Sequence, residues 1–309
     1  MELVDEEGQV LVFWTPDKAY DAVIISTPQI KEGSSYILKT GEVQTEIVMD
    51  GLSYTEGVRE QPMGEPGQKA QEIFKRYEKK YLLSADQYRV LLQRLDAYMT
   101  KDEYGKHTIS NIYFDTGNFE LIRHSIEKPV YKEKLRLRAY GQVTEKSRVF
   151  VELKKKYDGI VYKRRAELSM GEARSYLYQG HYPKQDSQIL REIDYTCRFY
   201  GLEPKMFVAY DRIALSGNED KELRVTFDEK IRYRNQQLDL TKGSGGTSLL
   251  PSGMVLMEIK IPGAMPVWMS RMLSELGICP TSYSKYGASY KLEFYKQKLY
   301  EKGEQIYAS

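Results

Sequence analysis

Residues Tyr131 to Tyr140 read YKEKLRLRAY, and charged and apolar side chains alternate along this stretch. A period of two is typical of a β-strand, because successive side chains leave opposite faces of the strand. One face carries a row of cations: Lys132, Lys134, Arg136 and Arg138. Neighbouring charges in such a row are about 6.5–7 Å apart. For one strand alone, a solvated face is the simplest interpretation; otherwise the row must pair with acids or bind an anion.

Several other predicted strands repeat this pattern. Basic residues lie on one face of Phe74 to Leu82, Arg148 to Lys156, Val161 to Leu168, Met206 to Leu215, Leu223 to Asp228 and Met254 to Ile261. Predicted helices with apolar stripes must also pack somewhere, such as the helix that begins with a capping box of Ser84 and Gln87. We therefore predict an α+β fold, a closed antiparallel β-barrel whose charged faces line a tunnel and whose helices pack outside. Because unpaired buried charges are costly, the tunnel needs a polyanion or trapped salt.

The net charge of +2 conceals an uneven distribution. Residues 1–68 contain 4 Lys and Arg against 13 Asp and Glu, whereas the remainder contains 42 basic and 31 acidic residues. We predict a small acidic β-rich segment over residues 1–56, a linker rich in Pro and Gly over 57–68 and a basic domain over 69–309. A basic domain of this kind suggests an anionic partner.

The composition excludes several classes of site. Two cysteines and three histidines at unrelated spacings predict neither a disulfide framework nor a zinc centre. No apolar run approaches the roughly 18–20 residues that span a bilayer, and the first residues do not read as a signal peptide, so we predict a cytoplasmic protein. A metal would have to bind carboxylates, which points to Mg²⁺ or Mn²⁺.

The strands carry a family resemblance through their order. The matching pieces are RYEKKYLL, SNIYFD, EKLRLRAY, VFVELKKK, YKRRAEL, AYDRIAL, LRVTFD, MEIK and SYSKYGAS. Over residues 70–300 they resemble the vacuolar transporter chaperone (VTC) domain, a polyphosphate polymerase of the triphosphate tunnel metalloenzyme superfamily. The wider superfamily opens with Glu-x-Glu-x-Lys, where this chain has Arg76, Glu78 and Lys80. That difference favours the polymerase branch over a simple triphosphatase.

The resemblance implies roles for individual residues. The implied phosphate contacts are Lys80, Arg136, Arg138, Lys154, Arg212, Arg224 and Lys285, of which Arg136, Arg138, Lys154, Arg224 and Lys285 are the candidate catalytic residues. Glu258 would bind Mn²⁺ or Mg²⁺, and Ser284 would help Lys285 hold a phosphate oxygen. Further candidate phosphate ligands are Lys163, Arg165 and Lys260. Three acids, Glu78, Glu152 and Asp228, are either further metal ligands or counter-ions that orient a neighbouring arginine.

The implied function is a polyphosphate polymerase that transfers the γ-phosphoryl group of ATP to a growing polyphosphate chain. Two alternatives stay open: a metal-dependent tripolyphosphatase or nucleoside triphosphatase, and a non-catalytic polyphosphate-binding module. Nucleic-acid binding is not expected, because the tyrosines cluster in predicted helices as much as beside the cations. Any coupling to transport across a membrane would require a partner protein.

Overall fold

The computed structural model describes residues 77–157, 160–261 and 263–301, together with four short strands before residue 49. The chain divides into two units, Met1–Glu72 and Ile73–Ser309. The strands of the first unit are β1 (Glu2–Val4), β2 (Val10–Phe13), β3 (Ser35–Thr40) and β4 (Val43–Val48). They form an antiparallel sheet in the order β2-β1-β3-β4. Arg76 and the predicted linker over 57–68 lie outside the described residues.

The second unit contains one antiparallel sheet of eleven strands within its described residues. The strands are β5 (Tyr77–Leu83), β6 (Met99–Lys101), β7 (His107–Asp115), β8 (Tyr131–Tyr140), β9 (Arg148–Tyr157), β10 (Ile160–Ser169), β11 (Glu203–Gly217), β12 (Arg224–Arg234), β13 (Thr247–Ser248), β14 (Val255–Ile261) and β15 (Pro280–Thr281). The main path runs β10-β9-β8-β7-β11-β12-β14-β5-β15, with β6 paired to β11 and β13 to β12. The stretch that opens the sequence analysis, β8, therefore lies well inside the sheet.

The sheet is curved, but the predicted closed barrel is not confirmed. Strand pairing ends at β10 and at β15, and no hydrogen bonds join these two edges within the described part of the chain. Both edges resist pairing: β15 is two residues long and begins with Pro280, which has no N–H, and β10 carries Lys163, Arg164 and Arg165 in succession. Curvature is evident because Lys134 Nζ on β8 lies 3.4 Å from Ser284 Oγ, which follows β15.

Within the described residues, four α-helices pack on the convex face of the sheet. They are α1 (Ala85–Leu95), α3 (Met170–Gln179), α4 (Gln188–Tyr200) and α5 (Val267–Glu275). The first and last contribute Leu91 and Met269 to a core with β5, β12 and β14, and the other two cover β8 to β10. The predicted capping box of Ser84 and Gln87 is present at the start of α1. These helices agree with the prediction that helices pack outside.

Two helices depart from that prediction and lie on the concave face. They are α2 (Glu120–Ile126) and α6 (Lys285–Glu301). They contribute Ile122 and Tyr286 to an apolar cluster with the concave-face residues Val208, Tyr210 and Leu256. The concave face is therefore only partly lined by charges. The sequence did not predict this placement, because an apolar position on a strand does not show which side a helix will cover.

Candidate functional site

Strand register places all the predicted site residues of the sheet on its concave face. They are Glu78 and Lys80 on β5, Arg136 and Arg138 on β8, Glu152 and Lys154 on β9, Lys163 and Arg165 on β10, Arg212 on β11, Arg224 and Asp228 on β12, and Glu258 and Lys260 on β14. Ser284 and Lys285 reach the same face from the start of α6. Alternation along each strand explains this arrangement, because residues two apart share a face.

Glu152 is the shared counter-ion of the cations on β8 and β10. Its side chain is 1% exposed. Its Oε2 accepts a hydrogen bond from Arg136 Nε at 2.8 Å, and its Oε1 accepts from Arg165 Nε at 2.7 Å and pairs with Lys163 Nζ at 2.9 Å. Burial raises the pKa of Glu152, but Arg136 and its neighbours outweigh burial and hold the pKa well below its usual range. Both carboxylate oxygens are engaged, which favours a counter-ion over a metal ligand.

A second group forms where Asp228 and Glu258 share Lys285. Lys285 Nζ lies 2.6 Å from Asp228 Oδ2 and 2.9 Å from Glu258 Oε1. Arg212 binds Asp228 in a bidentate manner, through Nε at 2.6 Å and a terminal nitrogen at 2.8 Å. Lys80 Nζ is 3.9 Å from Glu258 Oε1. Burial raises the pKa of Glu258, but the cations around it, Lys285 first among them, hold that pKa well below its usual range.

Tyr210, which was not a predicted site residue, joins the two groups. Its hydroxyl accepts a hydrogen bond from Arg138 at 3.2 Å. Its ring centroid lies 5.1 Å from the guanidinium carbon of Arg212 and 4.7 Å from Lys285 Nζ, within the range of cation–π contacts. The signal was available in the sequence, because Tyr210 lies two residues before Arg212 and therefore on the same strand face.

Polar side chains of the neighbouring strand β7 orient the arginines of β8 through hydrogen bonds. Asn111 Oδ1 accepts from Arg138 Nε at 2.9 Å, and the Tyr113 hydroxyl accepts from Arg136 at 3.4 Å. The Tyr113 ring stacks on Tyr286 of α6, with centroids 4.5 Å apart. Both guanidinium groups are therefore oriented before any anion binds, which lowers the entropic cost of binding.

Several cations have no carboxylate within 4 Å among the described residues. Those on the concave face include Lys134, which was not a predicted site residue, and the predicted ligands Lys154, Arg224 and Lys260. Burial, together with the charge of Lys80 and other cations, lowers the pKa of Lys134 to about 7. Since like charges without acids repel, these residues form the part of the concave face best suited to bind an anion.

A divalent metal fits this site if phosphate oxygens complete its coordination. Within the described residues, no cluster of three or more His, Cys, Asp or Glu could hold an ion. Mg²⁺ commonly binds one or two carboxylates together with substrate phosphates. Glu258 Oε2 lies 3.7 Å from Arg212, beyond hydrogen-bonding distance. Thr226 is the cross-strand neighbour of Glu258, and its buried Oγ1 has no hydrogen-bond partner in the described part of the chain. Glu258 is therefore the carboxylate suited to a metal. Both oxygens of Asp228 are engaged by Arg212 and Lys285, which favours a counter-ion, and Glu78 is more exposed and pairs with Lys80 at 3.4 Å.

Residues 75–294 match the family model of the VTC domain. The chain belongs to this family. The VTC domain contains every predicted site residue from Glu78 to Lys285, and the predicted resemblance is confirmed. Family membership supports a function connected with polyphosphate or triphosphates and a dependence on a divalent metal. No curated protein matches the sequence.

Solved structures similar to this VTC domain include three putative cyclases. One, from Bacillus halodurans, has a TM-score of 0.42 and 17% identity, covering 67% of this chain and 92% of that chain. Another, from Vibrio parahaemolyticus, has a TM-score of 0.37 and 11% identity, covering 70% and 97%. A third, from Hippeastrum, described as having a dominant triphosphatase activity, has a TM-score of 0.39 and 17% identity, covering 74% and 96%. Within the described residues, no helix of the VTC domain is both long and apolar enough to cross a bilayer.

Proposed function

We propose that this VTC domain is a metal-dependent ATP:polyphosphate phosphotransferase, a polymerase that moves the γ-phosphoryl group of ATP to the end of a polyphosphate chain. The observation that carries the proposal is a set of lysines on β8 and β9 that no described carboxylate neutralises: Lys132, Lys134, Lys154 and Lys156. They continue the arginine row beyond Glu152 and its partners. Three phosphate groups occupy only part of a row of this length, whereas a chain of phosphates can use all of it.

The oriented arginines suit the chemistry of phosphoryl transfer. This reaction requires the donor and acceptor in line and the transferring charge neutralised, with little covalent help from the protein. Arg136 and Arg138 present planar donor groups that grip phosphate oxygens in a bidentate manner. Lys285 supplies a fixed charge, because Asp228 and Glu258 outweigh burial and raise its pKa. We assign these residues to the triphosphate of ATP and the free lysines to the polymer.

Two carboxylates of the concave face, Glu152 and Glu258, are poor general bases. A base works best when its pKa is close to the working pH, and the pKa values of Glu152 and Glu258 are held well below their usual range. Without such a base, a water nucleophile depends on the metal for its activation, whereas the terminal phosphate of a polymer is already anionic. This difference supports a polymerase over a tripolyphosphatase. Mn²⁺ or Mg²⁺, held by Glu258, would supply further positive charge at the phosphate oxygens.

The test is purified protein with ATP and either MnCl₂ or MgCl₂, assayed for polyphosphate on a gel and for free phosphate. We expect polymer from the wild type and its loss in Glu258→Gln and Arg136→Ala. The matched control is Arg164→Ala, because Arg164 faces away from the concave side and pairs with Glu192 at 2.9 Å. Free phosphate without polymer would identify a tripolyphosphatase instead. Polyphosphate binding without either product would identify a binding module.

A further inference from the structure

An aromatic cluster lies at one end of the concave face, outside the groups described above. Three of its members, His107, Tyr140 and Phe150, form what we call the aromatic shelf. The Tyr140 ring lies 6.0 Å from the His107 ring and 5.8 Å from the Phe150 ring, between centroids. Tyr104 flanks His107 at 6.3 Å. By strand parity and register, the shelf residues share the face that carries the phosphate-binding candidates.

The shelf is continuous with the arginine row. Tyr140 lies two residues beyond Arg138 on β8, a step of about 6.5–7 Å. Arg165 lies over the Phe150 ring at 4.5 Å and donates to the Tyr140 hydroxyl at 3.4 Å. Burial raises the pKa of Tyr140, but Arg138 and Arg165 outweigh burial and lower it. The same arginines that would hold phosphate therefore position the shelf.

Exposure and ring chemistry indicate what the shelf can bind. Tyr140 is 41% exposed, although its ring already contacts two other aromatic rings. Aromatic side chains beside cations are the surfaces on which proteins stack nucleobases, because every base has a flat π-face and is joined to phosphate. At the other end of the β8 row, Lys132 and Lys134 offer charge instead. The row therefore has an aromatic end and a lysine end.

We propose that the aromatic shelf binds the adenine base of ATP. The triphosphate then lies along Arg138 and Arg136, and the polyphosphate chain extends past Lys134 and Lys132 to the opposite end. This inference rests on the proposed function, which supplies ATP as the donor. It adds a direction: nucleotide enters at the end where β8 finishes, and polymer lies at the end where β8 begins.

The test compares the binding of ATP and of inorganic tripolyphosphate to the full chain, with EDTA present so that neither ligand is turned over. Tyr140→Ala should weaken ATP binding by about 5- to 150-fold, the usual contribution of one stacked base, and leave tripolyphosphate binding unchanged. Tyr140→Phe keeps the ring and should bind ATP like the wild type. The control is Phe199→Ala, because Phe199 is 64% exposed on α4 of the convex face.

The outcomes separate this inference from the proposed function. If Tyr140→Ala weakens the binding of both ligands equally, Tyr140 is a phosphate ligand or a structural residue, and the shelf does not bind adenine. An unchanged affinity for ATP would overturn the proposed adenine binding as well, and both results would leave polyphosphate synthesis standing. If the wild type binds neither ligand, both the proposed function and the proposed adenine binding by the shelf are wrong.

Discussion

Replacing Glu152 by Gln tests whether this buried carboxylate is the counter-ion of the arginine row. The change keeps the size of the side chain and removes the negative charge that Arg136, Lys163 and Arg165 share. Breaking a buried ion pair by removing one partner costs about 3–5 kcal/mol. The side chains of Lys163 and Arg165 are 45% and 39% exposed, so water solvates part of the charge that Glu152 would otherwise neutralise. We therefore expect the free energy of unfolding to fall by about 3 kcal/mol, the lower end of that range.

A polyanion should restore much of this loss, because it supplies negative charge at the same place. A ligand at 100 times its dissociation constant stabilises the folded state by about 2.7 kcal/mol, and tripolyphosphate should bind Glu152→Gln more tightly than the wild type. The assay is urea denaturation at pH 7 with and without tripolyphosphate. The control is Glu192→Gln, whose carboxylate is 29% exposed and pairs with Arg164 at the surface, so its loss should not exceed about 1 kcal/mol.

The pH dependence of the free energy of unfolding, compared between wild type and Glu152→Gln, is a second test. The folded pKa of Glu152 lies below its usual value of 4.5, so its contribution to stability is complete above that value and is lost as the pH falls through the folded pKa. The difference in the free energy of unfolding between wild type and Glu152→Gln should thus persist from neutral pH to about pH 4.5 and become smaller only in stronger acid. A variant as stable as the wild type at pH 7, with no gain from tripolyphosphate, would refute the counter-ion role.

Three further changes test other parts of the site. Asp115→Asn should lower the free energy of unfolding by about 1–3 kcal/mol in thermal unfolding, because Asp115 accepts hydrogen bonds from two α2 backbone N–H groups and from the Tyr286 hydroxyl. Tyr286→Phe removes only that hydroxyl and should cost less. Equal losses in the two variants would contradict a role of Asp115 in holding α2. Lys134→Arg should flatten the pH dependence of tripolyphosphate binding, since the pKa of Lys134 is about 7 and the wild type loses this charge as the pH rises from 6 to 8; parallel profiles in binding titrations would exclude that contribution. Glu258→Gln should abolish metal-dependent turnover of ATP yet strengthen ATP binding in EDTA, because it removes a negative charge from the phosphate site; weaker binding in EDTA would argue against its role as a metal carboxylate.

Strand periodicity alone was sufficient to predict the shared face of the cations. The alternation in β8 places Arg136 and Arg138 on one face, and the structure places them there beside Glu152 of β9. The capping box that begins α1 is likewise a local feature, readable from Ser84 and Gln87. Local patterns work here because a side chain's direction on a strand depends only on its position within that strand.

Only the tertiary structure decided which cations are neutralised and which remain available. Lys285 meets Asp228 and Glu258 from a different element, and Lys80 Nζ donates to the backbone oxygen of Tyr283, 203 residues away. The open edges of the sheet, the placement of α2 and α6 on the concave face and the aromatic shelf also arise from such distant contacts. The physical reason is that ion pairing and packing depend on distances of a few ångströms between elements, and a strand's own alternation carries no information about which other strand or helix will face it.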